Sequence, residues 1–264
     1  MALLLLHDSA ESGRSTLRPT MARLLAPLLA AAGTAAAGAR VCDVSRPPYS
    51  AKGDGVTLNT VALQRAIDDC AGTPGSPGTV RLPASRTPGA NVTAYVSGAL
   101  FLRSHLALEI APGAALRGST RKDNATWPQT YKRIAGFMRM GHASLLNGGV
   151  CKRQKPECPT GCPGANIGDT CEEWTKLQDV ALRGGGTIDG DGQSWHVAPY
   201  SDVRPVLLHL AWIDGLVIED LLVTRPPFWT IHPVFCNNVT LRNTRVETVG
   251  YANGGECSNG PLGL

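Results

Sequence analysis

Aromatic side chains are scarce in this chain, 5% of 264 residues, and charged residues account for only 17%. Beside 30 Gly and 19 Pro, these shortages argue against long helices and predict many turns joined by short strands. The 43% hydrophobic content suits one large, well-buried domain and excludes disorder of the whole chain. No block of Lys or Arg accompanies the formal charge of +4, so no nucleic-acid partner is expected. The eight cysteines include no Cys-x-x-Cys pair, and the histidine nearest the middle four is His142, which argues against a zinc site. No apolar run reaches the roughly 20 residues of a membrane-spanning helix. Residues 24–37 come nearest, and they contain Pro27.

What is present instead is a repeat. Residues 214–223 recur in pattern at 237–246: Leu216 maps to Val239, Ile218 to Leu241 and Val223 to Val246, while turn-prone Asp214 and Asp220 map to Asn237 and Asn243. A period in the low twenties, built of short alternating strands and Asx corners, predicts a solenoid of β-coils, because one coil cannot bury its inner face without a neighbour. The fold class expected is all-β, a parallel β-helix, with Asn237 and Asn243 stacked on Asp214 and Asp220 as polar corner ladders.

Met21-Ala-Arg23 begins a basic segment, residues 24–37 are apolar and Ala-rich, and Ala37-Gly-Ala39 fits a small-residue cleavage site, together a secretory signal. Residues 1–20 ahead of it fit a mis-assigned start, with translation expected from Met21. The domain organisation expected is thus residues 1–39 as false start plus signal, and residues 40–264 as a single β-helix domain. An even set of cysteines, all beyond the cleavage site, implies disulfides. Cys42 and Cys70 bracket the first folded segment. Cys151, Cys158, Cys162 and Cys171 crowd a Pro/Gly-rich stretch, and Cys236 and Cys257 flank the last strands. Sequons at Asn91, Asn124 and Asn238 fit a secreted glycoprotein.

Asn59 or Thr60 is placed to cap a short helix whose Leu63, Ala66, Ile67 and Cys70 recur at helical spacing, and which would close the N-terminal end of the coil stack. Strands are predicted at 79–82, 94–96, 99–102, 106–110 and 115–116. Periodicity fades across 119–176, read as a Cys-rich loop insertion held by disulfides. Coils resume at 177, 180–182, 187–188 and 206–210, and run into the repeat.

Several segments, in order, resemble glycoside hydrolases of the polygalacturonase family. Residues 53–70, beginning Gly53-Asp-Gly-Val-Thr-Leu-Asn59, resemble the family's capping segment, and residues 98–116 its next coils. Gly185-Gly-Thr-Ile-Asp-Gly-Asp-Gly192, with Trp195 and Arg204-Pro205, resembles the middle. Arg225-Pro-Pro-Phe-Trp-Thr-Ile-His-Pro233, followed by Cys236-Asn-Asn-Val-Thr-Leu241, is the most specific match. The resemblance runs from Val41 to about Val249. It implies a right-handed parallel β-helix secreted to the cell wall, an acidic pectic polysaccharide as partner, no cofactor, and inverting hydrolysis of α-1,4-galacturonosyl bonds. The family uses three aspartates, one in an Asn-Thr-Asp motif and two in an Asp-Asp pair, followed by Gly-His-Gly and Arg-Ile-Lys. Rungs about 4.8 Å apart let carboxylates on neighbouring coils reach the roughly 6.5–9.5 Å separation that admits a water. One carboxylic acid then protonates the leaving oxygen while the others activate that water.

None of these motifs stands at its expected place, so catalytic residues are unassigned. Spacing from Asn238 puts the first aspartate position at Gly255, with Glu256 as the neighbouring substitute and the Asn-x-Asp motif expected beyond Leu264. The chain then reads as an N-terminal portion, truncated and inactive alone, whose last coil leaves an apolar cross-section uncovered. Asp68-Asp69 sits on the capping helix, Gly141-His142-Ala143 lacks the second glycine, and Arg133-Ile134-Ala135 lacks the lysine; all three read as decoys. Asp189 and Asp191 fit a turn packed around Trp195. His232 either faces the substrate groove as a binding residue or supports the coil through a hydrogen bond. The alternative to a hydrolase is a non-catalytic acidic-glycan-binding β-helix with groove-facing Arg or Lys.

Overall fold

The computed structural model describes residues 40–84, 92–134, 137–154, 171–196 and 204–248. Contacts divide the chain into Met1–Ala37 and Gly38–Leu264, and only the second unit contains described residues.

Three stacks of parallel strands form the body. The first holds β1 (Val41–Asp43), β3 (Gly78–Leu82), β6 (Leu106–Ile110), β13 (Leu177–Arg183), β16 (Ile213–Glu219) and β19 (Asn237–Arg242), in that spatial order. The second holds β2 (Asp54–Leu58), β4 (Thr93–Ser97), β7 (Ala114–Gly118), β14 (Thr187–Asp189), β17 (Leu222–Thr224) and β20 (Arg245–Glu247). The third, shorter, stacks β5 (Leu100–Phe101), β10 (Leu146–Asn147), β15 (Leu208–Ala211) and β18 (Ile231–Val234). From β5 onward the chain visits third, first and second stacks in turn, so each of these circuits adds one rung to all three. This is the parallel β-helix expected from the repeat.

Register turns sequence alternation into columns of like side chains. Val80, Leu108, Leu182, Ile218 and Leu241 align on successive rungs of the first stack. Tyr95, Leu116, Ile188, Val223 and Val246 align in the second, and Leu100, Leu146, Leu208 and Ile231 in the third. Apart from Leu241 and Val246, on the last rungs, these side chains are all buried. Each contributes about 1.5–3 kcal/mol for an aliphatic side chain removed from water. On the outer face, Arg81 pairs with Glu109 at 2.7 Å across one rung step. Along β19 every residue is exposed, including Val239 at 45% and Leu241 at 47%.

The helix predicted beyond residue 59 is α1 (Thr60–Cys70), with Leu63, Ala66, Ile67 and Cys70 buried. Leu63 and Ile67 face the same interior space as Val80, Leu82, Leu100, Leu108 and Leu116, so the helix plugs the first coils. Asn59 occupies the N-cap position without capping. Its amide is spent on the preceding loop, accepting from Lys52 N at 2.8 Å and donating to Thr57 O at 2.7 Å. Cys42 and Cys70 form a disulfide that ties β1 to the end of this helix.

Corners carry left-handed residues. Asp220 and Asn243, at φ 55° and 46°, turn the chain from the first stack to the second, and Asn243 Nδ2 donates to Asp220 Oδ1 at 3.1 Å. The other expected ladder differs. Asp214 lies opposite Asn237 in register, but the side chain that bonds it is Asn238, whose Nδ2 donates to Asp214 Oδ1 at 2.9 Å. Turning from the third stack to the first are His105, Trp212 and Phe235, at φ 55°, 54° and 56°. Bulky residues rarely adopt that conformation.

Within 119–176 the chain contributes the rung β10 and two antiparallel excursions. One is a hairpin of β8 (Gln129–Ile134) and β9 (Phe137–His142); the other pairs β11 (Cys151–Gln154) with β12 (Cys171–Trp174). A Cys151–Cys171 disulfide clamps the second. Cys158, Cys162 and Cys257 lie outside the described residues, as do Asn91 and the signal segment.

Candidate functional site

Beside the aliphatic column of the third stack runs a second column: Phe101, Asn147, His209 and His232. Strand alternation puts these side chains on the other face of the sheet from Leu100, Leu146, Leu208 and Ile231. His209 Nδ1 and His232 Nδ1 are 3.1 Å apart, one donating and the other accepting. Trp229 meets the His232 ring edge to face, with centroids 4.6 Å apart. His209 is buried and His232 half-buried.

The β8–β9 hairpin brings positive charge to this pair. Lys132 is fully buried, and its Nζ donates to the His142 carbonyl at 2.5 Å and the Arg204 carbonyl at 3.1 Å. Arg133 reaches across to Phe235, its guanidinium carbon 5.6 Å from the ring centroid. Burial brings Lys132 down to about 7. Burial, then His232 and Lys132, bring His209 down to about 3; burial, then Arg133 and Lys132, bring His232 down to about 4. Both imidazoles are therefore neutral at pH 6 and hydrogen-bond as neutral rings.

These depressed values make a pH prediction. The unfolded chain takes up protons near pH 6.5, before the folded histidines do, so their contribution to stability is complete above pH 6.5 and declines as pH falls toward 4 and 3. His209 alone is expected to account for about 2–3 kcal/mol between pH 6.5 and 4.5, at ~1.4 kcal/mol per unit. Urea midpoints across that range should fall more steeply for the parent chain than for His209→Gln; equal slopes would contradict the assignment.

A second polar cluster lies at the turn after β14. Arg225 Nε donates to Asp189 Oδ1 at 2.8 Å, its NH2 to Asp189 Oδ2, and its NH1 to Asp191 Oδ1 at 2.9 Å. Arg117 Nε adds a bond to Asp189 Oδ2 at 3.0 Å. A Cβ on Gly190 or Gly192 would run into the Arg225 or Pro226 carbonyl, which is why glycines alternate with the two aspartates. Trp195 packs nearby against Trp127, centroids 5.8 Å apart, and His142, 5.3 Å apart. Asp189 and Asp191 thus hold the next coil in place, bonded to arginine.

Asp68 and Asp69 pair with Arg103 at 2.7 Å and Arg65 at 3.5 Å on the helix surface. His142 Nδ1 bonds the Trp127 carbonyl at 2.9 Å and stands apart from the histidine column. Glu256 and Gly255 lie outside the described residues. His232 alone, of the candidates named from sequence, sits in the column. Sequence reading missed its partner His209, although the 23-residue period that aligns Asp214 with Asn237 also aligns His209 with His232. It missed Lys132 too, and read Arg133 only as part of a failed motif. Among the described residues no group of His, Cys, Asp and Glu is placed to hold a metal ion.

No family model matches the chain. A probable polygalacturonase from Vitis vinifera is 27% identical over 231 residues, covering 83% of this chain and 40% of that protein. An exo-poly-alpha-D-galacturonosidase from Dickeya chrysanthemi is 40% identical over 100 residues, 38% of this chain and 14% of that protein. The chain therefore spans less than half the length of either relative. Among solved structures, a hyperthermoactive exopolygalacturonase from Thermotoga maritima superposes with a TM-score of 0.57 at 17% identity, over 81% of this chain and 48% of that one, a likeness of fold. The chain is thus similar in sequence to polygalacturonases of Vitis and Dickeya over part of their length, and that similarity is carried on a parallel β-helix.

Proposed function

We propose that this chain serves a secreted hydrolase of the polygalacturonase type, and that it holds acidic pectic chains against the outer face of the third stack. The observation that carries this reading is the similarity to the Vitis polygalacturonase across 231 residues. Inverting hydrolysis of α-1,4-galacturonosyl bonds needs carboxylates and water, with no cofactor. Secretion is supported by the Cys42–Cys70 and Cys151–Cys171 disulfides, which persist in oxidising compartments.

The second reading, binding without cleavage, is favoured by the chemistry of that face. Around His232 the described side chains are Lys132, Arg133, His209 and Trp229, with no carboxylate to act as acid or base. Purified residues 40–264 are expected to bind oligogalacturonides in calorimetry and to release no reducing ends from polygalacturonate. Release of reducing ends would show that this chain carries its own catalytic groups, and absence of binding would remove both readings. His232 is the binding residue proposed here: its Nδ1 is engaged by His209, leaving Nε2 for a sugar hydroxyl or carboxylate.

A further inference from the structure

We propose that Arg133, carried across the third stack by the β8–β9 hairpin, is the residue that takes the carboxylate of an acidic sugar beside His232. The inference rests on the glycan-binding reading above and adds the group that would distinguish an acid from a neutral sugar.

The charge arrangement points outward. Most arginines of the coils face a carboxylate: Arg81 pairs with Glu109, Arg103 with Asp68, Arg117 and Arg225 with Asp189, and Arg242 with Glu219. Arg133 pairs with none among the described residues, and the groups that share its field are Lys132, His209 and His232. Charges withdrawn from water ordinarily meet an opposite charge. Among the described residues a fully buried lysine, about half protonated at pH 7, a half-buried arginine and two neutral imidazoles meet without one, so the arginine supplies most of the positive field where the sheet face opens.

Geometry selects Arg133 within the cluster. Lys132 is enclosed and committed to two carbonyl oxygens, so it supplies field and not contact. Arg133 lies over Phe235, which is 40% exposed and itself stacks on Trp212 at 4.7 Å. Both aromatic residues sit at the left-handed corners between the third and first stacks, on successive rungs. The Phe235 ring lies beneath the guanidinium, whose paired N–H groups can match a carboxylate in bidentate fashion. Lys176, over Trp212 at 5.2 Å, belongs to the same ledge but is an exposed point charge.

The test compares trigalacturonate with its fully methyl-esterified form, by calorimetry on residues 40–264 at pH 7. The acid should bind about tenfold more tightly than the ester, the preference expected of a charge-assisted bidentate contact. Arg133→Gln should abolish that preference while leaving ester affinity within about twofold, and Arg133→Lys should retain part of it. Lys176→Gln should keep the preference. If Arg133→Gln folds with an unchanged urea midpoint and still prefers the acid, the inference fails while the glycan reading survives. If neither trigalacturonate nor its ester binds the parent chain, the glycan reading fails and takes this inference with it.

Discussion

Arg225→Met is expected to destabilise the chain by about 3–5 kcal/mol, the usual cost of removing one partner from a buried ion pair. The Asp189 side chain is only 6% exposed, and Arg225 supplies bonds to both of its oxygens and one to Asp191. Without the guanidinium, Asp189 keeps Arg117 on one oxygen and the Asp191 backbone N–H on the other, and a buried carboxylate is left short of partners. The effect reaches beyond the pair, because Arg225 begins the loop that leads to β18 and so sets the position of Trp229 and His232. Arg225→Lys should recover only part of the loss, since an ammonium cannot bridge two carboxylates in one plane. Chemical denaturation of the single variants and of the Asp189→Asn/Arg225→Met pair would give the coupling directly. A loss under 1 kcal/mol for Arg225→Met would mean that the β-helix does not depend on this clamp.

Replacing Cys42 and Cys70 together by alanine is expected to cost about 3–4 kcal/mol from chain entropy alone, given the 28-residue separation that the bond closes. The bond joins β1, the first strand of the stack, to the last residue of α1, the element that plugs the open end. Its loss should therefore expose Leu63, Ile67 and the first rung before the later coils respond, because a solenoid is held together by nearest-neighbour contacts. Hydrogen exchange on the variant should show loss of protection at β1, α1 and β3, with β15 to β18 nearly unchanged. Uniform loss across all rungs would argue that the coils unfold as one unit and that the cap has no separate role.

Much of the fold was legible because stacking is periodic. Residues 106–110, with Leu106, Leu108 and Ile110 at every second position, form a strand over that same span, and Leu63, Ala66, Ile67 and Cys70 make the buried stripe of the helix as their spacing predicts. The pairing of Leu216 with Val239 and Ile218 with Leu241 follows from a repeat visible in ten residues. Capping was misread: Asn59 stands where a cap belongs, but a loop with two polar backbone groups closer at hand consumed its amide.

The site was legible only in part. His232 was named through the resemblance of Trp229 to Pro233 to the polygalacturonase strand, and His209 lay one coil period earlier, where the repeat could have found it. Lys132 and Arg133 offered no such signal, since they sit on an antiparallel hairpin whose partners at 204, 209, 232 and 235 lie 72 to 102 positions away.

The amino-acid order thus determined the solenoid, the plugging helix and the cysteines that staple it, because a side chain's inward or outward facing in a coil depends on neighbours two residues away and one period away. Only the tertiary structure decided that a lysine is buried with no counter-charge among the described residues, that an arginine lies over Phe235, and that two aspartates answer to Arg225. Those outcomes depend on where an excursion from the coil lands, and no local periodicity encodes the landing point of a hairpin.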